Sequence, residues 1–237
     1  MDNAARARQR VLALFLPVTA ALHIGAVALD PPGTDQQITT RGIAFKLLPI
    51  AVAHSTRLYA SGSLTFLALG ALAVSYAAIA TLVRKRGSAL ATAAVLIGGI
   101  GAFCGAFIRV LVGYNLAVAA RAHMAPDAAA QFLTTSFHSR AGQLFTAAYF
   151  IGVFLGPVLM GVALWRSRCV PRWLAVLFVA GLELAQHLGA IGRVPVLLLT
   201  MPSAVAMILL AALIWHAAAR PAHPIPEPAV VAVAMPG

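Results

Sequence analysis

Leu164-Trp165-Arg166-Ser167-Arg168-Cys169-Val170-Pro171-Arg172-Trp173-Leu174 is a short basic turn between two long apolar runs, about Gly142 to Trp165 before it and Pro171 to about Ile191 after it. Each run has the length of roughly 20 residues that a helix needs to cross the hydrocarbon core of a bilayer. Proline is tolerated in the first turn of a helix, where its missing N–H is not needed, so Pro171 marks the start of the second run. Basic residues concentrated between two apolar runs hold the turn on the cytoplasmic side. The stretch therefore predicts a membrane-spanning helical hairpin.

The same pattern extends in both directions. Arg84-Lys85-Arg86 separates an apolar run of about Tyr59 to Val83 from one of about Ala89 to Val112. Arg6, Arg8 and Arg10 precede a run from Val11 to Leu29, and Gly192-Arg193-Val194-Pro195 leads into a last run from about Val196 to His216. Ala26-Val27-Ala28 has the small-x-small form of a signal-peptidase site, but the preceding run exceeds the 7–15 residues usual for a signal peptide, so we read it as the first span. The expected fold class is all-α, a polytopic transmembrane bundle of six spans. Ten basic residues fall on the side of the amino terminus and the basic turns, against seven on the other, which puts both termini in the cytoplasm.

Composition agrees. With 61% hydrophobic and 10% charged residues the chain departs from globular averages of about 45–50% and about 25%. The net charge of +11 sits in the turns, so it reads as topology and excludes a nucleic-acid partner. Cys104 lies within a span and Cys169 in a basic turn, so no disulfide is expected. Residues 1–219 form a single transmembrane domain, and residues 220–237, with five prolines, form a flexible cytoplasmic tail. On the outer face, Gly42 to Arg57 is apolar but interrupted by Lys46, Pro49 and His54, and Ala128 to Phe137 is amphipathic; both suit short interfacial helices.

An internal correspondence is visible. His54-Ser55-Thr56-Arg57 and His138-Ser139-Arg140 each introduce a span, a basic turn and a second span, and in both copies the closing arginine, Arg109 or Arg193, follows its histidine by 55 positions. This suggests a parallel repeat of two helical hairpins. The basic turns are offset by 82 positions and not 84, and low-complexity apolar sequence also aligns by chance.

Leu164 to Leu174 is similar to a recurring loop of uncharacterised bacterial six-span membrane proteins, in which Arg-Ser-x-x-(Ile/Val)-Pro-Arg joins two late spans. The resemblance covers about fifty residues, from the fourth span into the fifth. It implies a domain of unknown function in the bacterial inner membrane.

Glu183 is the only acidic residue well inside an apolar run, and a charged group near the bilayer centre costs roughly 2.5–3.5 kcal/mol on insertion scales, so it normally faces a partner or a wet cavity. Gln186 and His187 share its helical face at offsets of three and four. His23 lies at a similar depth in the first span, and Arg109, Tyr114, Asn115 and Gln143 belong to the outer halves or outer ends of theirs. These residues could converge on one outward-facing, polar-lined cavity. Against this stands the plainer reading, in which Glu183 pairs with Arg109 or is protonated and Gln186 and His187 bond neighbouring helices.

Three function classes follow. The first is an integral membrane protein that binds a lipid or other apolar small molecule, with His23, Arg109, Tyr114, Asn115, Gln143 and Gln186 as binding residues. The second is a membrane-embedded enzyme on a lipid or isoprenoid substrate, with Glu183 as acid/base and His187 setting its protonation. The third is a small proton-coupled transporter. The first demands least of the residues. Haem needs paired histidines facing each other across helices, and His23, Glu183 and His187 make a poor metal set, so no metal and no cofactor is expected. Membrane lipids and a lipophilic small molecule are the expected partners; oligomeric state is left open.

Overall fold

In the computed structural model, residues 3–30, 48–83, 86–187 and 193–219 are described, apart from the side chains of 136–137, 184–187 and 193–197. The described chain is helical: α1 (Asn3–Leu29), α2 (Ser55–Ala80), α3 (Ser88–Arg121), α4 (Pro126–His138), α5 (Arg140–Ser167), α6 (Arg172–His187) and α7 (Arg193–Ala219), with a short helical stretch at 48–53 before α2. Five of these helices are long and apolar enough to cross a membrane: α1, α2, α3, α5 and the 198–219 part of α7. The chain is a multi-pass membrane protein. The expected fifth span corresponds to α6, whose 16 described residues reach about 24 Å at 1.5 Å per residue, short of the hydrocarbon thickness. Residues 188–192 lie outside the described residues, as do the tail and residues 42–47 of the Gly42–Arg57 segment.

Six helices close into a ring. α1 packs on α2, α2 on α3, α3 on α5, α5 on α6, α6 on α7, and α7 back on α1, with the α3–α5 seam the most extensive. Neighbours run antiparallel, as residue pairings show. Along α1 and α2, Gln9 Nε2 donates to Thr81 Oγ1 at 3.2 Å, the Thr19 and Ser75 hydroxyls lie 3.0 Å apart, and Ser61 Oγ donates at the far end towards the Ala26 carbonyl at 3.0 Å and Asp30 Oδ1 at 3.1 Å. Such interhelical bonds contribute about 0.6 kcal/mol each in lipid, so they set register more than they hold the bundle. Close packing holds it. Between α3 and α5, Gly98 meets Gly156 and Gly101 meets Gly152 so closely that a Cβ on Gly156 would lie 2.6 Å from the Gly98 Cα. Between α6 and α7, Gly181 lies against the Ser203 backbone.

The centre of the ring is filled by Leu16, Tyr76, Met160, Leu164, Phe178 and Leu210, all 0–2% exposed. Around the outside, Leu14, Val18, Phe66, Leu96, Ile100, Phe103, Phe150 and Phe154 are exposed by 40% or more, a belt that would be an aggregation hazard in water and belongs against lipid. At one end, the basic end, lie the turns at 81–87 and 168–171 and the start of α1. Gly87 makes the first of these turns with φ 95°, a left-handed backbone that favours glycine.

At the opposite end α3 runs on as one helix through Tyr114 and Asn115 to Arg121, about 51 Å in all, longer than a bilayer core. Its overhang carries α4, whose Ala129, Ala130 and Leu133 bury against Leu116 and Ala119 together with Leu48 and Ala51 of the helical stretch before α2. Gln131 and Thr135 are exposed on the other face of α4. This amphipathic helix falls where Ala128 to Phe137 predicts one. Ser139 then caps α5, its Oγ accepting from the Gly142 N–H at 3.0 Å. Ser139→Ala should cost about 1 kcal/mol. Measured by thermal unfolding in detergent, the loss should be absent in Ser139→Asp, which restores an acceptor; equal losses in both variants would remove the cap from the account.

Candidate functional site

Two places bring chemistry together, the ring centre and a crevice at the α4 end. The centre is organised by Tyr76. From α2 its ring reaches across the bundle to Phe178 of α6, edge to face with centroids 6.4 Å apart, and its hydroxyl lies beside Gly156 of α5, 3.1 Å from where a Cβ would stand. Small residues make this possible, since a Cβ on Gly98 would lie 2.8 Å from the Tyr76 ring. Glu183 lies near enough to Tyr76 to act on it electrostatically, from a half-buried position on α6. The void beside them, lined by Leu72, Tyr76, Gly98, Ala102, Gly152, Val153, Pro157 and Leu182, measures about 10 Å³. That is the lower limit for a single water.

The other sequence-expected residues scatter. His23 of α1 is half-buried, and the Arg109 guanidinium of α3 is near enough to act on it electrostatically although Arg109 itself is exposed. Asn115 is buried at 5% and bonded, on the α3 overhang. Tyr114 is 64% exposed, and Gln143 is exposed on the first turns of α5. The side chains of Gln186 and His187 lie outside the described residues. Arg109 thus acts electrostatically on His23 and Glu183 on Tyr76, while Tyr114 and Gln143 are exposed. Among the described residues, no cluster of three or more His, Cys, Asp or Glu side chains is placed to hold a metal ion.

The crevice lies between the end of α3 and the start of α5. Phe107, Ile108, Leu111, Ser139, Ala141, Gly142 and Phe145 line about 80 Å³ of space, with Phe107 stacked on Phe145 at 4.7 Å. The break between α4 and α5 at Ser139 opens it, because Ser139 holds the α5 amino terminus in place of another turn of helix. Arg109 and Arg140 are exposed and adjoin these residues in sequence, but neither lines the crevice. Apart from Ser139, the lining side chains are apolar.

Sequence reasoning missed Tyr76 and the crevice walls. Tyr76 had a signal: an aromatic polar residue among Ala and Ser, in the inner half of a span. The crevice had none, since Phe107 and Phe145 are ordinary lipid-facing residues until the α3–α5 register is known.

A family model described as Domain of unknown function (DUF4386) matches residues 13–219. No curated protein matches the chain, and no solved structure does.

Proposed function

From the premise that the chain belongs to the DUF4386 family, we propose that it binds a lipid or other apolar small molecule at the α4 end of the bundle, in the crevice between α3 and α5. The observation that carries this reading is the largely apolar space of about 80 Å³ lined by Phe107, Leu111 and Phe145. A chain end enters there from the membrane. Tyr114, Asn115 and Gln143 belong to the same end of the bundle and contribute around the head group, not along the chain.

Glu183 belongs, in this reading, to the scaffold. An enzyme using Glu183 as acid/base with His187, or a transporter moving protons through it, requires space for a substrate beside the carboxyl group. The void of about 10 Å³ next to Tyr76 and Leu182 offers room for one water. Mass spectrometry of molecules that co-purify with the protein separates the readings. Leu111→Trp, which fills the crevice, should strip the bound molecule by roughly tenfold, equivalent to about 1.4 kcal/mol, while Glu183→Gln leaves it in place. Loss in Glu183→Gln with retention in Leu111→Trp would replace this reading with a central site.

The finer architecture we propose is six spans, with α6 as the fifth, both termini cytoplasmic and the bundle in the bacterial inner membrane. The alternation of the six ring helices supports it, because basic turns then share one side. α2–α3 and α5–α6 form the proposed parallel repeat. In its support, Gly98 and the residue 84 positions later, Leu182, both line the central void, and Tyr76 and Met160, related by the same offset, are both fully buried in the core.

A further inference from the structure

The basic end carries a charged surface that the crevice does not use. Arg166 closes α5, Arg168 forms the turn and Arg172 opens α6, and the two exposed tryptophans of this corner, Trp165 and Trp173, are 44% and 57% exposed. Arg172 stacks over the Trp165 ring at 5.1 Å. Stacking uses the face of a guanidinium and leaves its N–H edge free to fork onto a carboxylate or phosphate. No carboxylate is available to take that edge among the described residues: Asp30 and Asp127 lie at the α4 end, and Glu183 lies towards the centre beside Tyr76. The α6 first turn, where an acidic residue is ordinarily favoured, holds none. The arrangement recurs on the other side of the ring, where Arg10 of α1 stacks over Trp215 of α7 at 5.4 Å.

We propose that the corner formed by Trp165, Arg166, Arg168, Arg172 and Trp173 binds the phosphate of an anionic phospholipid in the leaflet at the basic end. The shared chemistry is a phosphate oxyanion held by preoriented guanidinium edges. Its source is a lipid and not a soluble phosphate, because the tryptophans that back the arginines project from the bundle at the level where amphipathic rings sit between head groups and acyl chains. Trp165 holds Arg172 in place, Trp173 lies along the first acyl carbons, and Arg166 and Arg168 supply further charge. The site is separate from the crevice, which opens at the opposite end.

The protein's own fluorescence tests this, because its three tryptophans, Trp165, Trp173 and Trp215, all lie at the basic end. The full chain is reconstituted in phosphatidylcholine vesicles containing phosphatidylglycerol brominated on its acyl chains, or phosphatidylcholine brominated likewise, and quenching is compared at equal bromine content. The brominated anionic lipid should quench several-fold more strongly. Arg168→Gln with Arg172→Gln should lower that preference by roughly fivefold for each arginine removed, and Arg172→Lys, which keeps charge but loses the stacked fork, should lose part of it. Equal quenching by the two lipids, or a preference unchanged in the double variant, would overturn the proposal. Competition by glycerol phosphate as effective as that by the lipid would overturn the lipid source. If the double variant fails to fold, Arg172→Lys and the wild-type lipid comparison still decide the outcome.

Discussion

Gly101→Leu should prevent the bundle from assembling, so that size-exclusion chromatography in detergent yields aggregate in place of a defined peak. A Cβ at position 101 falls on the Gly152 Cα and lies 2.9 Å from the Gly152 carbonyl carbon, so fixed backbone stands in its way. Overpacking against movable side chains costs about 1–3 kcal/mol. Here relief requires α3 and α5 to separate along the most extensive seam of the ring, and lipid offers no hydrophobic force to compensate, because helix association in a membrane depends on such close contact. Gly99 provides the matched control. It lies two residues away on the same helix with nothing within 4 Å of a built Cβ, so Gly99→Leu should elute as the wild type does. A normal peak for Gly101→Leu would mean that α3 and α5 do not meet at these glycines.

Tyr76→Ala should be the most damaging truncation in the core. Tyr76 is 2% exposed, reaches from α2 to Phe178 on the opposite side of the ring, and packs on Gly98 and Gly156. Removing a large buried aromatic side chain costs about 3–5 kcal/mol in soluble cores, through lost contacts and the cavity left behind. For a chain of this size that lowers the melting temperature by roughly 10 °C. Glycines across the seam cannot expand to fill the space, so little of the loss is recovered by collapse. Tyr76→Phe keeps the ring and should lose far less. Equal melting of Tyr76→Ala and wild type would show that the centre is not held by this side chain.

These two positions also show how far the sequence could be read. The helices and the turns between them were legible because apolar runs report membrane length directly and arginine blocks interrupt them, as at Arg166 to Arg172. The ring order was not, because almost every face of α3 is apolar and hydropathy cannot tell Gly99, which faces lipid, from Gly98 and Gly101, which face helices. Polar residues were easy to find and hard to group. Glu183 stood out as the one acid well inside an apolar run, yet the residue it acts on electrostatically is Tyr76, more than a hundred residues earlier in the chain. His23 and Arg109 were singled out in the sequence, and in the fold the Arg109 charge acts on His23 electrostatically. Tyr114 and Gln143 lie at the expected end but face outward, because an outer position along a helix does not say which side of the helix a residue occupies.

The proposed binding of an apolar molecule in the α3–α5 crevice is tested most directly by where a bound lipid touches the protein. A fatty-acyl lipid with a photoactivated group on its chain can be cross-linked in membranes and its adducts mapped by peptide mass spectrometry. Adducts concentrated on Phe107 to Leu111 and Ala141 to Phe145, and lost in Leu111→Trp, are the predicted result. Adducts spread evenly over the exposed belt of Leu96, Ile100 and Phe103, with no excess at the crevice and no change in Leu111→Trp, would contradict it.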